Sequence, residues 1–203
     1  MSGDAPVLAV TQRVLRDPGH GELRTALDVR WPRFLRECGF LAVPMPLDSA
    51  LAVEVLHRTG CRGLVLTGGD DLGSVPERDA LERQLFRLAL EHGRPVVGVC
   101  RGMQLIVDLF GGSLRQVPGH VAQTHVLTGP YGGRRVNSYH TWAALDGPPH
   151  FDVTARCGPV VEAIVHRSEP IAGIMWHPER ADPADPEDVA LFTRIFGEVS
   201  CVP

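Results

Sequence analysis

Short apolar runs alternate with helix-like segments through the first half of the chain, and this order constrains the fold more than any other feature of the sequence. The run Pro95–Val99 is apolar throughout, as in strands that are buried on both faces of a sheet. Strands separated by helices require a parallel sheet with right-handed crossovers, so we predict a doubly wound, mostly parallel α/β sheet with flanking helices. The expected strands of this half are Val7–Thr11, Phe40–Met45, Gly63–Thr67 and Pro95–Val99.

Apolar residues at helical spacing fill the intervals between these strands. The expected helices are Glu22–Cys38, Ser49–Arg58, Asp79–His92 and Gly102–Phe110, with Asp188–Phe196 closing the chain. Pro32 lies inside the first of them, which predicts a late N-terminus or a kink, and Ser49 is the expected cap of the second. In the third helix we expect Glu82 on the polar face, opposite Leu85.

Gly, His, Pro and Thr become frequent over Ser113–Leu145, where the alternation weakens. We expect short antiparallel strands and loops there, as a small extension of the main sheet. Further strands are expected at Phe151–Ala155, Val160–His166 and Ile171–Trp176. Because the sequence shows no repeat, linker or break in composition, we interpret residues 1–203 as a single domain.

The bulk properties of the chain exclude several classes of protein. A formal net charge of −4 offers no electrostatic argument for binding nucleic acid or an anionic membrane, so we expect neither partner. The apolar runs are too short for a transmembrane helix, and "MSGDAPVLAV" has an acid where a secretory signal carries basic residues. The five cysteines are scattered and contain no C-x-x-C pair, which favours the reducing cytoplasm over a disulfide framework. They are Cys38, Cys61, Cys100, Cys157 and Cys201.

The stretch "GVCRG" has the form G-x-C-x-G, with Cys100 between an expected strand and an expected helix. This is the context of a nucleophile elbow, in which a strained turn presents the nucleophile and the flanking Gly98 and Gly102 avoid steric clashes. The helix N-terminus would favour the thiolate, and the backbone N–H of Arg101 would be available to a developing oxyanion. The alternative is a buried structural cysteine, but the surrounding residues favour a nucleophile.

A thiolate nucleophile needs a base and a group that orients the base. The stretch "MWHPER" offers His177 and Glu179 after an apolar strand, and Pro178 ends that strand. We expect extended backbone here, so that His177 and Glu179 project to the same side. Taken alone, His177 would more commonly be a loop histidine beside a surface acid. The chain order nucleophile, His, acid differs from that of the α/β-hydrolases and argues against their fold.

The stretch "VLTGGDDL" places Gly68 and Gly69 at the carboxyl end of the third expected strand. Doubly wound sheets bind their ligands at this edge. We therefore expect the N–H of Gly69 to lie opposite that of Arg101 and to complete an oxyanion hole. An ordinary Gly-Gly turn is the alternative.

Three markers, "TGGDD", "GVCRGMQ" and "IMWHPE", together resemble the class I glutamine amidotransferase superfamily, which has a flavodoxin-like fold. Arg101, "GGSLRQV" (Gly111–Val117) and "VNSYH" (Val136–His140) are similar to its γ-glutamyl hydrolase branch, which includes the γ-glutamyl-γ-aminobutyrate hydrolases. The resemblance implies a cysteine-dependent hydrolase of γ-glutamyl amides that acts on a small-molecule substrate and needs no cofactor or metal.

The same resemblance implies a role for each matching residue. Cys100 would attack the γ-glutamyl amide, His177 would protonate the leaving amine and Glu179 would orient His177. Water would then release glutamate from the thioester. The other implied residues are Gly69 and Arg101 in the oxyanion hole, and Gln104, Ser138, Tyr139 and His140 in substrate binding.

The N-terminal part resembles a narrower group within this branch. "TQRV" (Thr11–Val14) and "GELRTALDVRW" (Gly21–Trp31) look like the small hydrolases of capsule phosphoramidate pathways, which release glutamate from a γ-glutamyl-CDP-amidate. This resemblance implies a nucleotide leaving group, whose phosphates would attract guanidinium groups. Each candidate arginine is alternatively a solvated surface residue. The candidates are Arg13, Arg16, Arg24 and Arg30.

Other interpretations stay open at this point. The chain has no G-x-x-x-x-G-K-[ST] loop, so a glutaminase subunit would supply ammonia to a partner synthetase on another chain. A non-catalytic ligand-binding protein on the same fold is the second alternative, and a homodimer is compatible with all of these functions. A metal site made of His120, His125 and His140 is not favoured, because their spacing is irregular and the segment reads as loop.

Overall fold

A seven-stranded sheet forms the centre of the chain in a computed structural model, which describes residues 5–197. The other strands pair in twos outside this sheet. In chain order the elements are β1 (Val7–Val10), β2 (Arg13–Arg16), β3 (Leu23–Ala26), α1 (Arg30–Glu37), β4 (Leu41–Pro44), α2 (Ser49–Arg58), β5 (Gly63–Leu66), α3 (Pro76–Glu91), β6 (Val96–Val99), α4 (Arg101–Leu109), β7 (Arg115–Gln116), β8 (Val121–Val126), β9 (Arg135–Tyr139), β10 (Trp142–Ala143), β11 (Phe151–Cys157), β12 (Val160–His166), β13 (Ile171–Ile174) and α5 (Pro186–Gly197).

The central sheet has the strand order β11-β12-β13-β6-β5-β1-β4. Strands β4, β1, β5, β6 and β13 are parallel, and β12 and β11 add an antiparallel edge. All residues of β5, β6 and β13 are buried, as expected for strands that are covered on both faces. The predicted mostly parallel, doubly wound α/β fold is therefore confirmed. The predicted short antiparallel strands are present as the pairs β8–β9 and β7–β10, but they lie outside the central sheet and do not extend it.

Helices cover both faces of this sheet. On one face α2, α3 and α4 contribute Leu56, Leu85 and Ile106 to one apolar cluster. On the other face α1 and α5 pack together, and the rings of Phe34 and Phe192 meet edge to face with 4.9 Å between their centroids. The two layers of helices leave the ends of the strands as the accessible part of the sheet.

The parallel register brings the carboxyl ends of β5, β6 and β13 to the same edge. Leu66 of β5 pairs with Gly98 of β6, and β6 and β13 run in matching register beside it. The segments that follow these strands therefore leave the sheet together. They are residues 67–69 after β5, Cys100 after β6 and the segment leading to His177 after β13.

The predicted helix Glu22–Cys38 is wrong in its first half. Strands β2 and β3 form a hairpin there, and α1 begins only at Arg30. Pro32 lies in the first turn of α1, where its missing N–H removes no hydrogen bond of the helix. The late N-terminus that Pro32 predicted is thus confirmed, while the residues before it take a different structure.

A polar turn closes the β2–β3 hairpin. The carboxylate of Asp17 accepts hydrogen bonds from the backbone N–H groups of Gly19 and His20, at 2.8 and 2.9 Å. Asp, Pro and Gly in this order are typical of such turns. The stretch "DPG" was therefore the signal for a hairpin, whereas the spacing of Leu23 and Leu27 imitates a helix.

Helix α2 has the predicted bounds but a different cap. Asp48 precedes the helix, and its side chain accepts a hydrogen bond from the N–H of Leu51 at 2.8 Å. The expected cap Ser49 is wrong, since Ser49 is the first residue of the helix itself.

Among residues 5–197, no helix combines the length and the hydropathy that crossing a membrane requires.

The four cysteines among residues 5–197 are all unpaired. Burial raises the pKa of the Cys38 thiol to about 12, and burial also raises the pKa of Cys61 and of Cys157. These three thiols are thus poor nucleophiles. Cys201 lies outside the described residues.

Candidate active site

Cys100 occupies a strained turn between β6 and α4. Its backbone has φ 53° and ψ −107°, a conformation that residues with a side chain rarely adopt. A Cβ at Gly98 would lie 2.6 Å from the backbone of Gly102, and a Cβ at Gly102 would overlap the carbonyl of Leu66. Both glycines are therefore required by close packing around the turn, which is the steric pattern of a nucleophile elbow.

His177 lies beside Glu179, and Oε1 of Glu179 is 2.8 Å from Nδ1 of the ring. Both side chains are buried. The expected extended backbone is wrong here, because Pro178–Arg180 form a 3₁₀ turn. The predicted contact between the two side chains thus forms, but through a turn instead of through the alternation of a strand.

Hydrogen bonds control the charge of His177. Burial opposes protonation of the ring, but hydrogen bonds with Cys100 and Glu179 outweigh burial and raise its pKa to about 9. This raised pKa favours the protonated ring at neutral pH. An imidazolium held between a thiol sulfur and a carboxylate is the arrangement that activates a cysteine nucleophile.

Asn137 of β9 fixes the backbone of His177. Its Nδ2 donates to the carbonyl oxygen of His177, and its Oδ1 accepts from the N–H of His177, both at 2.9 Å. Two such bonds restrict the position of the ring. The sequence prediction missed Asn137, although it lies inside the "VNSYH" marker, where it faces the opposite side from Ser138.

The glycine pair after β5 lies against both catalytic candidates. A Cβ at Gly68 would lie 2.7 Å from Cε1 of His177 and 3.5 Å from Cβ of Cys100. Gly69 has φ +141°, a conformation that favours glycine. Arg101 is the first residue of α4, so its backbone N–H has no partner within the helix. The two predicted oxyanion donors thus belong to segments that meet at Cys100, and their role stays a prediction.

A buried charge network extends from the elbow. Glu82 bonds Arg78 at 2.8 Å and also pairs with Arg101, whose other amino group pairs with Asp79. The predicted position of Glu82 on the polar face of its helix is wrong, because the carboxylate is fully buried. Burial of this charge is tolerable since two guanidinium groups compensate it.

Arg78 connects this network to the glycine loop. Its Nη2 donates to the carbonyl oxygens of Thr67 and Gly68, both at 3.0 Å. Arg78 thus holds the loop that carries Gly69, and Glu82 holds Arg78. The sequence prediction missed this function, although an Arg–Glu pair four residues apart in a helix was a signal for an ion pair.

Gln104 lies one helical turn after Cys100, as expected, and its side chain is buried. Its Nε2 donates to the carbonyl oxygen of Trp142 at 2.8 Å. Gln104 also lines a cleft of about 310 Å³ together with Leu72 and Ser113. Its contact with a glutamyl group stays a prediction.

The alternation of β9 separates the three other residues that were predicted to bind substrate. Tyr139 lies edge-on to the ring of His177, with 5.8 Å between the centroids. Ser138 is buried, and its hydroxyl donates to the carbonyl oxygen of His120 at 2.7 Å. His140 is buried next to the His120 ring. Only the side chain of Tyr139 is brought to His177, and substrate binding by all three stays a prediction.

A groove of about 280 Å³ opens beside His177. The β2–β3 hairpin supplies one part of its lining and the glycine loop another. Arg13 lines it and pairs with Asp70 at 2.7 Å, while Arg180 lines it and stacks over the ring of Tyr139 at 4.2 Å. Two guanidinium groups thus face the space next to the catalytic candidates.

The other arginines considered for phosphate binding do not line this groove. Arg24 is exposed and pairs with Glu22. Arg30 pairs with Asp28, and this hydrogen bond lowers the pKa of the Asp28 carboxyl to about 2. Arg16 lies exposed at the end of β2. The sequence prediction did not consider Arg180, which follows the "HPE" marker directly.

Comparisons with known proteins show which proteins this chain is similar to. Gamma-glutamyl-CDP-amidate hydrolase of Campylobacter jejuni subsp. jejuni is 27% identical over 183 residues, which cover 85% of this chain and 90% of the relative. A glutamine-hydrolysing GMP synthase subunit of Methanospirillum hungatei is 35% identical over 134 residues, which cover 60% of this chain and 66% of the relative. A solved glutamine amidotransferase from Thermotoga maritima has a TM-score of 0.66 at 15% identity, covers 87% of this chain and 77% of its own, and shows the same fold.

The family model of peptidase C26 matches residues 6–179, a range that includes the elbow, the glycine loop and the "HPE" turn. The fold is the flavodoxin-like α/β fold of class I glutamine amidotransferases. Because the match spans most of the sequence, the chain belongs to the peptidase C26 family, a class I glutamine amidotransferase-like family.

Proposed function

We propose that this chain hydrolyses γ-glutamyl amides through a thioester on Cys100. Membership of the peptidase C26 family and similarity to a γ-glutamyl-CDP-amidate hydrolase support amide hydrolysis. The observation that carries the proposal is the position of the His177 ring, which lies against Gly68 together with Cys100 and has Oε1 of Glu179 2.8 Å from its Nδ1. A binding protein would have no need of a raised histidine pKa beside a cysteine on a strained turn.

The proposed reaction has two steps. The Cys100 thiolate, whose proton is held by His177, attacks the γ-carbonyl carbon, and the N–H groups of Gly69 and Arg101 stabilise the oxyanion. His177 gives its proton to the leaving nitrogen as the C–N bond breaks, which leaves a glutamyl thioester. Neutral His177 then takes a proton from water, whose oxygen attacks the thioester, and glutamate and the free thiol are formed.

The leaving group that we propose is a cytidine nucleotide phosphoramidate. The C. jejuni relative, which is similar over most of both chains, acts on γ-glutamyl-CDP-amidate. The groove beside His177 supports this substrate, because Arg13 and Arg180 line it and guanidinium groups bind phosphates. The glutamyl half would then lie toward Gln104, and the nucleotide half toward the β2–β3 hairpin.

A substrate panel tests this proposal. Purified protein would be assayed with γ-glutamyl-CDP-amidate, γ-glutamyl-γ-aminobutyrate, γ-glutamyl-p-nitroanilide and free glutamine, and the substrates would be ranked by kcat/KM. We expect γ-glutamyl-CDP-amidate to be hydrolysed about tenfold faster or more by this measure than any other substrate. A γ-glutamyl amide without a nucleotide at the top of the ranking would refute the nucleotide leaving group but keep the hydrolase.

The second candidate is a glutaminase that serves a synthetase on another chain. The similarity to the M. hungatei GMP synthase subunit over 60% of this chain favours it, since a glutaminase of this kind works with a separate synthetase. In this case free glutamine would rank first in the panel, and its hydrolysis would increase when the partner synthetase is added.

A non-catalytic binding protein is the third candidate. It predicts that a γ-glutamyl diazo-ketone analogue forms no adduct on Cys100 in mass spectrometry.

A further inference from the structure

Three histidine rings converge on one carboxylate inside the chain, and the proposed reaction uses none of these side chains. The atom at their centre is Oε1 of Glu162, on β12. It lies 3.2 Å from Nδ1 of His120, 3.3 Å from Nδ1 of His125 and 3.5 Å from Nε2 of His140. All four side chains are more than nine-tenths buried. The irregular spacing of the histidines in the sequence does not keep them apart in space.

Hydrogen bonds within the described residues do not satisfy this cluster. Nδ1 of His120, both ring nitrogens of His140 and Oε2 of Glu162 are buried and have no hydrogen-bond partner among residues 5–197. Buried polar atoms in folded proteins are almost always satisfied. Four unsatisfied atoms in one cluster therefore point to a bound species that interacts with several of them at once.

The proton on His125 can be assigned from its neighbours. Its Nε2 lies 3.3 Å from the carbonyl oxygen of Gly119, which only accepts hydrogen bonds, so Nε2 carries the proton in the neutral ring. Nδ1 then presents a lone pair to Oε1 of Glu162 at 3.3 Å. Two acceptors face each other at this distance unless a second proton on the ring or a metal cation lies between them. A ring held by a carbonyl through one nitrogen is also the usual form of a metal-binding histidine.

The ligand atoms of His120, His140 and Glu162 all lie within 4.8 Å of one another, close enough to surround a single ion. Ligands at about 2.0 to 2.1 Å from a tetrahedral Zn²⁺ lie about 3.3 Å from one another. The three distances to Oε1 of Glu162, from 3.2 to 3.5 Å, fall around this value. The sulfur of Cys157 lies within 4.8 Å of the ligand atoms of His120 and His125, so a thiol is also near.

We propose that His120, His140 and Glu162 bind a divalent transition-metal ion of the zinc type, with His125 beside the ion. Imidazole nitrogens with one carboxylate are a ligand set that this class of ion prefers over Mg²⁺ or Ca²⁺. The ion would connect His120, just before β8, and His140, just after β9, to Glu162 on β12 of the central sheet. Because Asn137 of β9 bonds the backbone of His177, such a link would also steady the base.

Metal titration of the full chain tests this inference. Protein treated with a chelator would be titrated with Zn²⁺ by calorimetry, and Co²⁺ would be used in parallel to report tetrahedral geometry by its visible absorption. We expect one equivalent of either ion to bind and to raise the melting temperature. The titrations would be repeated on Cys100→Ala, because the sulfur of Cys100 and the ring of His177 also offer metal ligands, and binding should persist there.

Matched variants separate this site from surface histidines. His120→Gln and Glu162→Gln should each weaken Zn²⁺ binding by about tenfold or more, whereas His20→Gln, an exposed hairpin histidine, should leave it unchanged. Circular dichroism of each variant shows that it is folded. The inference is overturned if the wild type binds no ion, if Cys100→Ala abolishes binding, or if folded His120→Gln and Glu162→Gln bind as tightly as the wild type. If His120→Gln or Glu162→Gln does not fold, the Co²⁺ spectrum of Cys100→Ala tests the inference instead. A spectrum without tetrahedral character would also overturn the inference.

Discussion

Glu179 follows His177 by only two residues, yet its Oε1 lies 2.8 Å from Nδ1 of the His177 ring. The 3₁₀ turn Pro178–Arg180 makes this contact between near neighbours, so the base and its orienting group form one rigid local unit. Because Glu179 occupies Nδ1, the other ring nitrogen is left for the hydrogen bond with Cys100. The charge state of His177 therefore reports directly on the proposed catalytic arrangement.

The stability that His177 contributes should fall as the pH rises from 6.5 to about 9. Its pKa is raised in the folded chain, so the protonated ring stabilises the fold fully below the lower value, and this contribution disappears as the pH passes the upper value. Relative to His177→Asn, the free energy of unfolding of the wild type should decline by on the order of 3 kcal/mol across this window. Urea unfolding of both proteins below and above the window measures the difference.

A second variant assigns this effect to Glu179. Glu179→Gln keeps the shape of the side chain but removes the negative charge, so the pKa of His177 should fall. A titration of the His177 ring by NMR measures it in both proteins. An identical pKa in Glu179→Gln and the wild type would contradict the assigned role of Glu179.

The backbone strain at Cys100 has a measurable effect on stability. At φ 53° and ψ −107° a Cβ is unfavourable, whereas glycine adopts this conformation readily. We therefore expect Cys100→Gly to be more stable than Cys100→Ala by about 1 kcal/mol, although a glycine usually makes the folded state less stable than an alanine does. Denaturant midpoints of the two variants decide this. An alanine variant that is as stable as the glycine variant would show that the turn is relaxed.

Removing the charge of Glu82 should harm both folding and activity. Glu82→Gln leaves the guanidinium groups of Arg78 and Arg101 with less compensation, which should cost about 3 to 5 kcal/mol of stability. In the folded fraction kcat should fall more than KM rises, because Arg78 positions the loop that carries Gly69. Glu77→Gln, at an exposed position of the same helix, is the matched control. Equal behaviour of the two variants would mean that the network has no positioning role.

Arg13 should determine specificity for the leaving group. If Arg13 binds phosphate, Arg13→Gln should raise KM for γ-glutamyl-CDP-amidate by about tenfold. It should change kcat/KM for γ-glutamyl-p-nitroanilide far less, since that substrate carries no phosphate. Arg24→Gln alters a hairpin arginine that does not line the groove and should affect neither substrate. A proportional loss with both substrates in Arg13→Gln would assign Arg13 a structural role.

The sequence predicts best where one segment determines its own structure. The buried strand before Cys100 and the glycines around it indicate the elbow, since close packing excludes other residues at Gly98 and Gly102. The hairpin of β2 and β3 was not predicted, because Leu23 and Leu27 have helical spacing while the turn at Asp17 decides the structure.

Features that depend on a distant partner were beyond prediction from the pattern. Glu82 has the spacing of a surface residue in its helix. Its burial is explained by the ion pair with Arg101, which belongs to the distant helix α4. His120 and His140 likewise meet Glu162 through strand pairing that is not visible in their spacing. Markers such as "VNSYH" locate important segments, but the direction of each side chain follows from the strand that carries it.

Trapping the acyl-enzyme tests the central proposal most directly. γ-Glutamyl-p-nitroanilide has a good leaving group, so acylation should be fast and a thioester should accumulate during turnover. Samples would be quenched in acid, digested and analysed by mass spectrometry. We predict a glutamyl adduct on Cys100 that forms with the release of p-nitroaniline and is absent from Cys100→Ala, which should also lose activity by about 1,000-fold or more. Continued turnover by Cys100→Ala, or a glutamyl adduct on another residue, would contradict the account.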